Sequence, residues 1–178
     1  LLLLGEWQDR HMVVRYTDVD YDVFTDGACA VWSGGSPYER PTFRYSPLMA
    51  YFFLPNCFLH AATGKVLLCV VDLLCGILLW SMFRHQSSGM GSATTVVALF
   101  LLNPILLNVS TRGNADVVVI LPILAALCCL QRGRWTLAAL WYGLSIHLKL
   151  FPVVFLPAIL AFMREASNQS LSNTVVKP

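Results

Sequence analysis

Apolar residues dominate the C-terminal two thirds of the chain, where they form five runs separated by short polar connectors. The runs cover residues 66–83, 93–109, 117–130, 135–146 and 150–163. A straight helix needs about 20 apolar residues to cross a bilayer, so runs near this length predict transmembrane helices. The first two runs approach it, and Pro104 bends the second. The last three are shorter and predict spans only if flanking residues extend them or broken helices pack inside a larger bundle.

The N-terminal part of the chain has a different pattern. Residues 5–42 form a polar segment that is long for a structureless connection, which favours a functional loop. Within it, apolar side chains recur at three- and four-residue steps and predict an amphipathic helix at the membrane surface, with these members: Tyr21, Phe24, Ala28, Val31 and Trp32. The turn residues at 33–37 end this helix. Ser46 and Pro47 then predict the start of a short helix over 48–54, which Pro55 ends.

The amino-acid composition indicates the class of protein to which these patterns belong. The chain has 178 residues, of which 57% are hydrophobic and 12% charged, and its mean hydropathy is +0.64. Soluble domains usually contain about 25% charged residues. The sequence therefore predicts an all-α polytopic membrane protein, and a net charge of +2 is too small to indicate a nucleic-acid partner.

The chain divides into four predicted regions. Residues 1–4 are interpreted as the remnant of a first span and 5–62 as a polar loop with interfacial helices. Residues 63–166 form a bundle of about five spans, and 167–178 form a polar tail. We expect the chain to be a fragment of a longer protein.

The six cysteines do not form a recognisable framework. Four of them lie inside apolar runs, where cysteine behaves as a small hydrophobic residue. Cys29 and Cys57 lie outside the runs and are free to pair, although their spacing does not require it. No Cys-x-x-Cys motif indicates a metal site.

Basic residues in the connectors indicate the topology. One set of connectors contains Arg84, Arg132, Arg134 and Arg164, and the alternate set contains only Arg112 and Lys149. The side richer in arginine and lysine is the cytosolic one. The loop with Asp18 and Asp20, the connector at Arg112 and the turn at Lys149 are therefore predicted on the opposite, lumenal side.

Three interpretations of Asp18 and Asp20 follow from their position before the amphipathic helix. Asp18 is suited to cap that helix. Asp18, Asp20 and Asp22 also match the first ligand positions of a calcium loop, but Val23 replaces the required glycine and Cys29 the closing glutamate. The functional alternative is a general base that accepts a proton from a substrate hydroxyl.

The other polar positions also have two interpretations. Arg112 lies just before a helix N-terminus, which predicts an anion site, but a lysine or arginine at a membrane edge also reaches lipid headgroups. His147 and Lys149 end a short span, and the same alternative applies to Lys149. Asp72 lies inside a span and is expected to pair with another polar group of the bundle.

Several segments, in consistent order, resemble the catalytic subunit family of the first GPI mannosyltransferase, the PIG-M type. They are RYTDVDY at 15–21, VFTD at 23–26, SPYER at 36–40, TFRYSPL at 42–48, STRGNAD at 110–116, and YG at 142–143 with HLK at 147–149 and Pro152. A single Asp-x-Asp motif is weak, but this series runs from about residue 5 to 163. The resemblance implies a C-type glycosyltransferase fold in the endoplasmic reticulum membrane.

The resemblance also implies a reaction. Enzymes of this family transfer mannose from dolichol-phosphate-mannose to glucosaminyl-(acyl)phosphatidylinositol in an α1,4 linkage. The donor is β-linked, so the reaction inverts the anomeric centre and requires one base. Implied partners are the bilayer, these two lipid substrates and a small accessory membrane subunit. No cofactor or metal is expected, because a dolichyl monophosphate leaves without the metal that a nucleotide diphosphate uses.

The roles of individual residues are hypotheses that rest on the resemblance. Asp18 is the expected catalytic base, and Asp20 the catalytic residue that positions a sugar. Positive charge for the departing phosphate comes from Arg112 and Lys149, with His147 or Arg44 as additions. The full expected substrate-binding set is Arg15, Tyr16, Arg44, Arg112, Asn114, Asp116, His147 and Lys149.

Two alternatives remain at the level of the sequence. One is another dolichol-phosphate-sugar transferase of the same superfamily, against which the RGNAD and HLK segments argue. The other is a transporter or a non-catalytic membrane subunit, although no internal repeat of the transporter type is found. An enzyme requires Asp18, Arg112 and Lys149 to converge.

Overall fold

The computed structural model describes residues 1–84 and 90–175, with side chains described within 1–84 and 93–166. Most of this part is helical, and it contains no strand. The α-helices are α1 (Leu2–His11), α2 (Val19–Trp32), α3 (Pro47–Phe52), α4 (Pro55–Phe58), α5 (Thr63–Phe83), α6 (Met90–Leu101), α7 (Pro104–Arg112), α8 (Asp116–Gln131), α9 (Trp135–Leu148) and α10 (Leu156–Val175). Two 3₁₀ helices cover Pro37–Glu39 and Phe151–Phe155.

The segment predicted as a loop folds into a compact helical layer. Helix α2 packs against α3, α4 and the first 3₁₀ helix. Phe53 is fully buried at its centre, stacked on Phe24 with 5.0 Å between ring centroids. The disulfide Cys29–Cys57, with 5.4 Å between Cα atoms, links α2 to α4. The pairing that the sequence left open is thus formed, and closing a loop of 28 residues stabilises the fold by about 3.5 kcal/mol.

The amphipathic helix predicted from the apolar spacing is confirmed as α2, with Asp18 at its N-cap. Its apolar face is not free to lie on lipid, because Tyr21, Phe24 and Ala28 are buried in the protein's own core. Trp32 departs from the predicted face. It is 60% exposed and packs over Phe58 at 5.0 Å.

The second short helix also begins where the sequence indicates. Ser46 caps α3 by accepting the Leu48 N–H at 3.3 Å. The expectation for Pro55 is wrong in part, since Pro55 begins helix α4 directly after α3 ends. Proline has no backbone N–H, but the N–H groups in the first turn of a helix have no partner within the helix. A proline at the first position therefore costs the helix no hydrogen bond.

Below this layer, α5 packs against α6, α7 and α8, and α8 packs along α9. The core is continuous between the two parts, because Leu68 and Cys75 of α5 and Val117 of α8 join the cluster around Phe53. Helices α6 and α7 meet at a bend of 49°, confirming the break expected at Pro104. The last apolar run is also broken, into the 3₁₀ helix Phe151–Phe155 and α10.

Helix length and composition identify fewer candidate spans than the five apolar runs. Among the described residues, Thr63–Phe83 is the one helix long and apolar enough to cross a bilayer by itself. The bent pair Ala93–Leu101 and Pro104–Arg112 adds a second if it is counted as one broken span, and Asp116–Gln131 is shorter. The polytopic arrangement stays a prediction.

Two predicted features lie partly or wholly outside the described residues. They are the connector after Arg84, whose His85 is not described, and the tail 167–178, whose side chains are not described. Asp72 is described and buried, with a hydrogen bond from Ser110. Its Oδ1 has no hydrogen-bond partner among the described residues.

Candidate active site

Asp18 lies at the end of the segment between α1 and α2 and caps α2. Its Oδ1 accepts the backbone N–H of Asp20 at 3.1 Å, as the capping interpretation requires. Its Oδ2 lies 3.4 Å from the side-chain nitrogen of Asn114. The residue is half-buried, and capping uses only one of its two carboxylate oxygens. Capping and proton transfer are therefore compatible at this position.

The backbone before Asp18 is held by the C-terminal end of α7. The Asp18 N–H donates to the carbonyl of Arg112 at 2.8 Å, and Arg112 Nε donates to the carbonyl of Tyr16 at 3.0 Å. The Tyr16 hydroxyl is hydrogen-bonded to Thr111 Oγ1 at 2.7 Å. The DxD segment and the segment around Arg112 are thus fastened to each other across almost a hundred residues of sequence.

Gly113 makes this close approach possible. Its φ is +93°, in the left-handed region, and it ends α7. A Cβ at this position would lie 2.4 Å from Cδ2 of Tyr21. The turn after Arg112 therefore requires glycine both for its backbone conformation and for its contact with α2.

We expect Gly113→Ala to lower the free energy of unfolding by roughly 2–4 kcal/mol, from left-handed strain plus overpacking against Tyr21. Thermal unfolding of the solubilised protein measures this. Gly133→Ala is the matched control, because Gly133 has φ +68° but no atom within 4 Å of an added Cβ. It should cost only about 1 kcal/mol. Equal losses in the two variants would show that the Tyr21 contact is unimportant.

A small cleft of about 30 Å³ lies beside Asp18. Its polar lining consists of Asp20, Tyr45, Asn114, Asp116 and Lys149. Lys149 Nζ is 2.6 Å from Asp116 Oδ1, and the Asp116 N–H donates to Asn114 Oδ1 at 2.9 Å. A continuous polar line therefore runs from Asp18 through Asn114 and Asp116 to Lys149.

Tyr45 contributes a hydrogen-bond donor to this cleft. Its ring packs edge-on against Phe24, with 4.7 Å between centroids. Burial and the carboxylates of Asp20, Asp18 and Asp116 raise the pKa of the Tyr45 phenol well above its ordinary value. The hydroxyl therefore keeps its proton at physiological pH, next to a set of acceptors.

Further basic side chains come from the end of α9 and from the segment before α3. His147 Nε2 is hydrogen-bonded to Ser46 Oγ at 3.0 Å, which joins the end of α9 to the start of α3. Arg44, two residues before Ser46, is exposed. Lys149 is about half exposed despite its ion pair. These groups are accessible to an anionic ligand.

The structure brings together part of the predicted set. Asp20, Asn114, Asp116 and Lys149 line the cleft, and Asp18 is joined to it by its contact with Asn114. The other predicted residues lie around it in different environments. Tyr16 and Arg112 hold the backbone that leads into the cleft, and the exposed Arg15 is 2.8 Å from Asp22. Asp18 and Lys149 are linked through Asn114 and Asp116, whereas Arg112 binds the Tyr16 carbonyl and does not line the cleft. The convergence that the enzyme interpretation requires is therefore met for two of its three residues.

The described residues contain no group of three or more His, Cys, Asp or Glu side chains placed to hold a metal ion. Asp18 accepts the backbone N–H of Asp20.

Sequence reasoning assigned no role to several residues that build this region. Asn56 donates to the Tyr21 hydroxyl at 3.1 Å and to Thr25 Oγ1 at 2.8 Å, and accepts the Gly64 N–H at 2.6 Å. It thereby joins α2 to the start of α5. The sequence signal was slight, since Asn56 follows a proline in a short apolar segment. Lys65 and Asp9 were also unassigned.

The fold and the cleft define a class: a helical protein with a carboxylate at the N-terminus of one helix and a lysine in the adjacent cleft. A family model described as "Mannosyltransferase (PIG-M)" matches residues 109–177. The chain resembles curated members of this family over most of its own length. No solved structure matches the chain.

Three relatives illustrate the similarity. "GPI alpha-1,4-mannosyltransferase I, catalytic subunit" of Danio rerio is 46% identical over 162 residues, which are 90% of this chain and 41% of the relative. "GPI mannosyltransferase 1" is 43% identical in Dictyostelium discoideum, over 87% of this chain and 36% of the relative. The protein of the same name in Saccharomyces cerevisiae is 40% identical, over 90% of this chain and 40% of the relative. The chain spans about two fifths of the length of these relatives.

Proposed function

We propose that the full-length protein transfers the first mannose of a GPI anchor. The donor is dolichol-phosphate-mannose, the acceptor is glucosaminyl-(acyl)phosphatidylinositol, and the new bond is an inverting α1,4 linkage. The observation that carries the proposal is the convergence of Asp18 and Lys149 on one polar line beside a cleft. The names of the relatives support mannosyl transfer in GPI-anchor synthesis, and this geometry offers groups suited to it.

In the proposed reaction, Asp18 takes the proton from the 4-hydroxyl of the glucosamine as its oxygen attacks C1 of mannose. The C1–O bond to the phosphate breaks at the same time, and dolichyl phosphate leaves with the electron pair. Asp18 ends protonated, and the anomeric centre is inverted. No acid is needed for the leaving group, because phosphate leaves well when its negative charge is stabilised.

Positive charge for that phosphate comes from Lys149, with Arg44 and His147 beside it. Arg112 has a different primary role from the one expected at first, because its Nε already binds the Tyr16 carbonyl. It keeps the DxD segment in place while its charge adds to the field of the site. Asp20 and Tyr45, which are hydrogen-bonded to each other, offer a carboxylate and a hydroxyl to a sugar.

The cysteines support a lumenal site. Cys29 and Cys57 form a disulfide in the layer that contains the cleft, whereas the four cysteines of the long helices are free: Cys69, Cys75, Cys128 and Cys129. Disulfides persist in oxidising compartments such as the lumen of the endoplasmic reticulum. We therefore place the active-site layer on the lumenal side of that membrane.

The surface of the helical bundle supports a membrane location. Large apolar side chains are exposed along several helices, including Leu73 and Ile77 of α5, Leu99 of α6 and Leu140 of α9. Apolar surface of this extent is covered by lipid or by another protein. We propose a multi-pass bundle of the C-type glycosyltransferase kind, with broken helices around the polyprenyl tail. An accessory membrane subunit is the proposed protein partner.

The test is an assay of the full-length protein in membranes from cells that lack the first GPI mannosyltransferase. With dolichol-phosphate-[³H]mannose and the glucosaminyl lipid, a labelled mannosyl-glucosaminyl product should form. Jack-bean α-mannosidase should remove the label. Absence of product in the presence of the accessory subunit would refute the proposal, as would label taken only from GDP-mannose when donor synthesis is blocked.

We also expect this activity to be independent of divalent metal. The leaving group is a monophosphate, and the charge that it needs is present in Lys149 and its basic neighbours. No chemical step depends on a metal in this reaction, so EDTA should leave the rate unchanged. Rates with and without EDTA should therefore agree within about twofold, the precision of such an assay. Loss of activity with EDTA that manganese restores would contradict this expectation.

A further inference from the structure

Three polar side chains form a buried cluster directly behind the DxD segment. Asp9 comes from α1, Thr17 from the segment that precedes Asp18, and Lys65 from the first turn of α5. Lys65 is 4% exposed and Thr17 8% exposed. A buried lysine is costly unless it is paired and hydrogen-bonded, so its position needs an explanation. None of the three touches the cleft, and the proposed reaction does not use them.

The Asp9 carboxylate is the centre of the cluster. Its Oδ1 accepts the N–H of Tyr16 at 2.6 Å and the N–H of Thr17 at 3.0 Å. Its Oδ2 accepts the Thr17 hydroxyl. Burial alone would raise the pKa of Asp9, but the Thr17 and Tyr16 hydrogen bonds and the Lys65 charge outweigh burial and lower it. Asp9 is therefore ionised at physiological pH.

Lys65 completes the cluster from the opposite side. Its Nζ donates to Thr17 Oγ1 at 2.5 Å and lies 4.0 Å from Asp9 Oδ2. It also lies over the ring of Tyr21, 5.4 Å from the centroid. The Thr17 hydroxyl thus accepts from a cation and donates to an anion, which determines its orientation.

These contacts leave the backbone before Asp18 little freedom. The N–H groups of Tyr16 and Thr17 bind Asp9, while the Tyr16 carbonyl and the Asp18 N–H bind Arg112. Asp18 is one peptide bond beyond Thr17. A displacement of Thr17 would therefore move the Asp18 carboxylate relative to the cleft.

We propose that Asp9 and Lys65 are positioning residues for the base Asp18, acting through Thr17. This inference rests on the proposed function. The cluster fixes the backbone before Asp18 from the side away from the substrate. The Asp18 carboxylate is therefore already oriented towards the acceptor hydroxyl when the substrate binds. Placement errors of about 1 Å in a reacting group are enough to lower a rate about 100-fold.

The test uses steady-state kinetics of the full-length enzyme with its accessory subunit. Thr17→Val removes the hydroxyl at nearly constant volume, and Thr17→Ser keeps it. We expect Thr17→Val to lower kcat about 10- to 100-fold with KM for the glucosaminyl lipid within about threefold of wild type. Thr17→Ser should stay near wild type. A purely structural role would instead reduce the amount of folded enzyme without this division between kcat and KM.

Asp9→Asn, Lys65→Met and the double variant form a thermodynamic cycle on the same readout. Each single change should lower kcat, and the double variant should be no slower than the slower single one, because both act through the same hydroxyl. The exposed carboxylate of Asp26, which pairs with Arg40 on the same layer, supplies the matched control Asp26→Asn, which should not alter kcat. The Cys29–Cys57 disulfide, measured by thiol labelling, reports folding of each variant.

The outcomes separate this inference from the proposed function. If the wild-type enzyme transfers no mannose, the proposed function fails and this inference fails with it. If wild type is active but Thr17→Val, Asp9→Asn and Lys65→Met keep its kcat while folded, only the positioning role is refuted. The positioning role is also refuted if the variants reduce only the amount of folded enzyme. It is likewise refuted if the loss of kcat in the double variant equals the product of the two single losses.

Discussion

Replacing Asp18 by Asn in the full-length enzyme should lower kcat by about 10²- to 10⁴-fold, the contribution typical of a general base. The change keeps the size of the side chain and removes its ability to take a proton. Asparagine is as good a helix N-cap as aspartate, so α2 should remain capped. The measurement is mannose transfer to the glucosaminyl lipid at saturating donor, together with recovery of GPI-anchored proteins in deficient cells.

This substitution separates the two interpretations of Asp18 that its position allows. If Asp18 were only a cap, Asp18→Asn and Asp18→Ser would both retain activity, since both residues cap helices well. If Asp18 is the base, both variants fold and neither transfers mannose at an appreciable rate. Asp26→Asn is the matched control, because Asp26 lies on the same helix and its side chain is 61% exposed. An active Asp18→Asn enzyme would refute the assignment.

Replacing Lys149 by Met should lower kcat about 100-fold, because the departing phosphate loses its nearest proposed cation. The effect is smaller than for Asp18, since Lys149 is about half exposed and water screens part of its charge. Lys149→Arg keeps the charge and should recover most of the activity. The readout is kcat with dolichol-phosphate-mannose in the membrane assay.

The ion pair between Lys149 and Asp116 requires a second variant in this test. Lys149→Met leaves the Asp116 carboxylate, 2.6 Å from Nζ in the native protein, without its cation. The double variant Lys149→Met with Asp116→Asn removes that uncompensated charge. If it recovered wild-type kcat, Lys149 would serve only to neutralise Asp116. Persistent loss in the double variant supports a direct role in stabilising the phosphate.

Local sequence signals predicted the elements that carry the site. The three- and four-residue apolar spacing identified α2, Asp18 marked its N-terminus, and Pro104 marked the break between α6 and α7. Each signal acts within a few residues, through backbone conformation, capping or side-chain periodicity. The similarity of the DxD, RGNAD and HLK segments to one family was likewise readable without a structure.

The fate of the polar segment could not be read in the same way. Its apolar residues indicated a helix but not what covers that helix. Burial of Phe24 against Phe53, and the Cys29–Cys57 disulfide, arise because distant residues meet. The interfacial helix predicted on lipid is therefore part of a core, and the exposed Trp32 lies outside the predicted face.

By itself, the sequence determined that the chain is helical, which family it resembles and which polar residues are candidates for chemistry. Only the tertiary structure decided their arrangement. It placed Asp18 beside Asn114, assigned Arg112 to the Tyr16 backbone and buried Lys65 next to Asp9 and Thr17. The physical reason is that hydrogen bonds and ion pairs depend on distances of a few ångströms between residues far apart in sequence. Periodicity and capping signals carry no information about such distances.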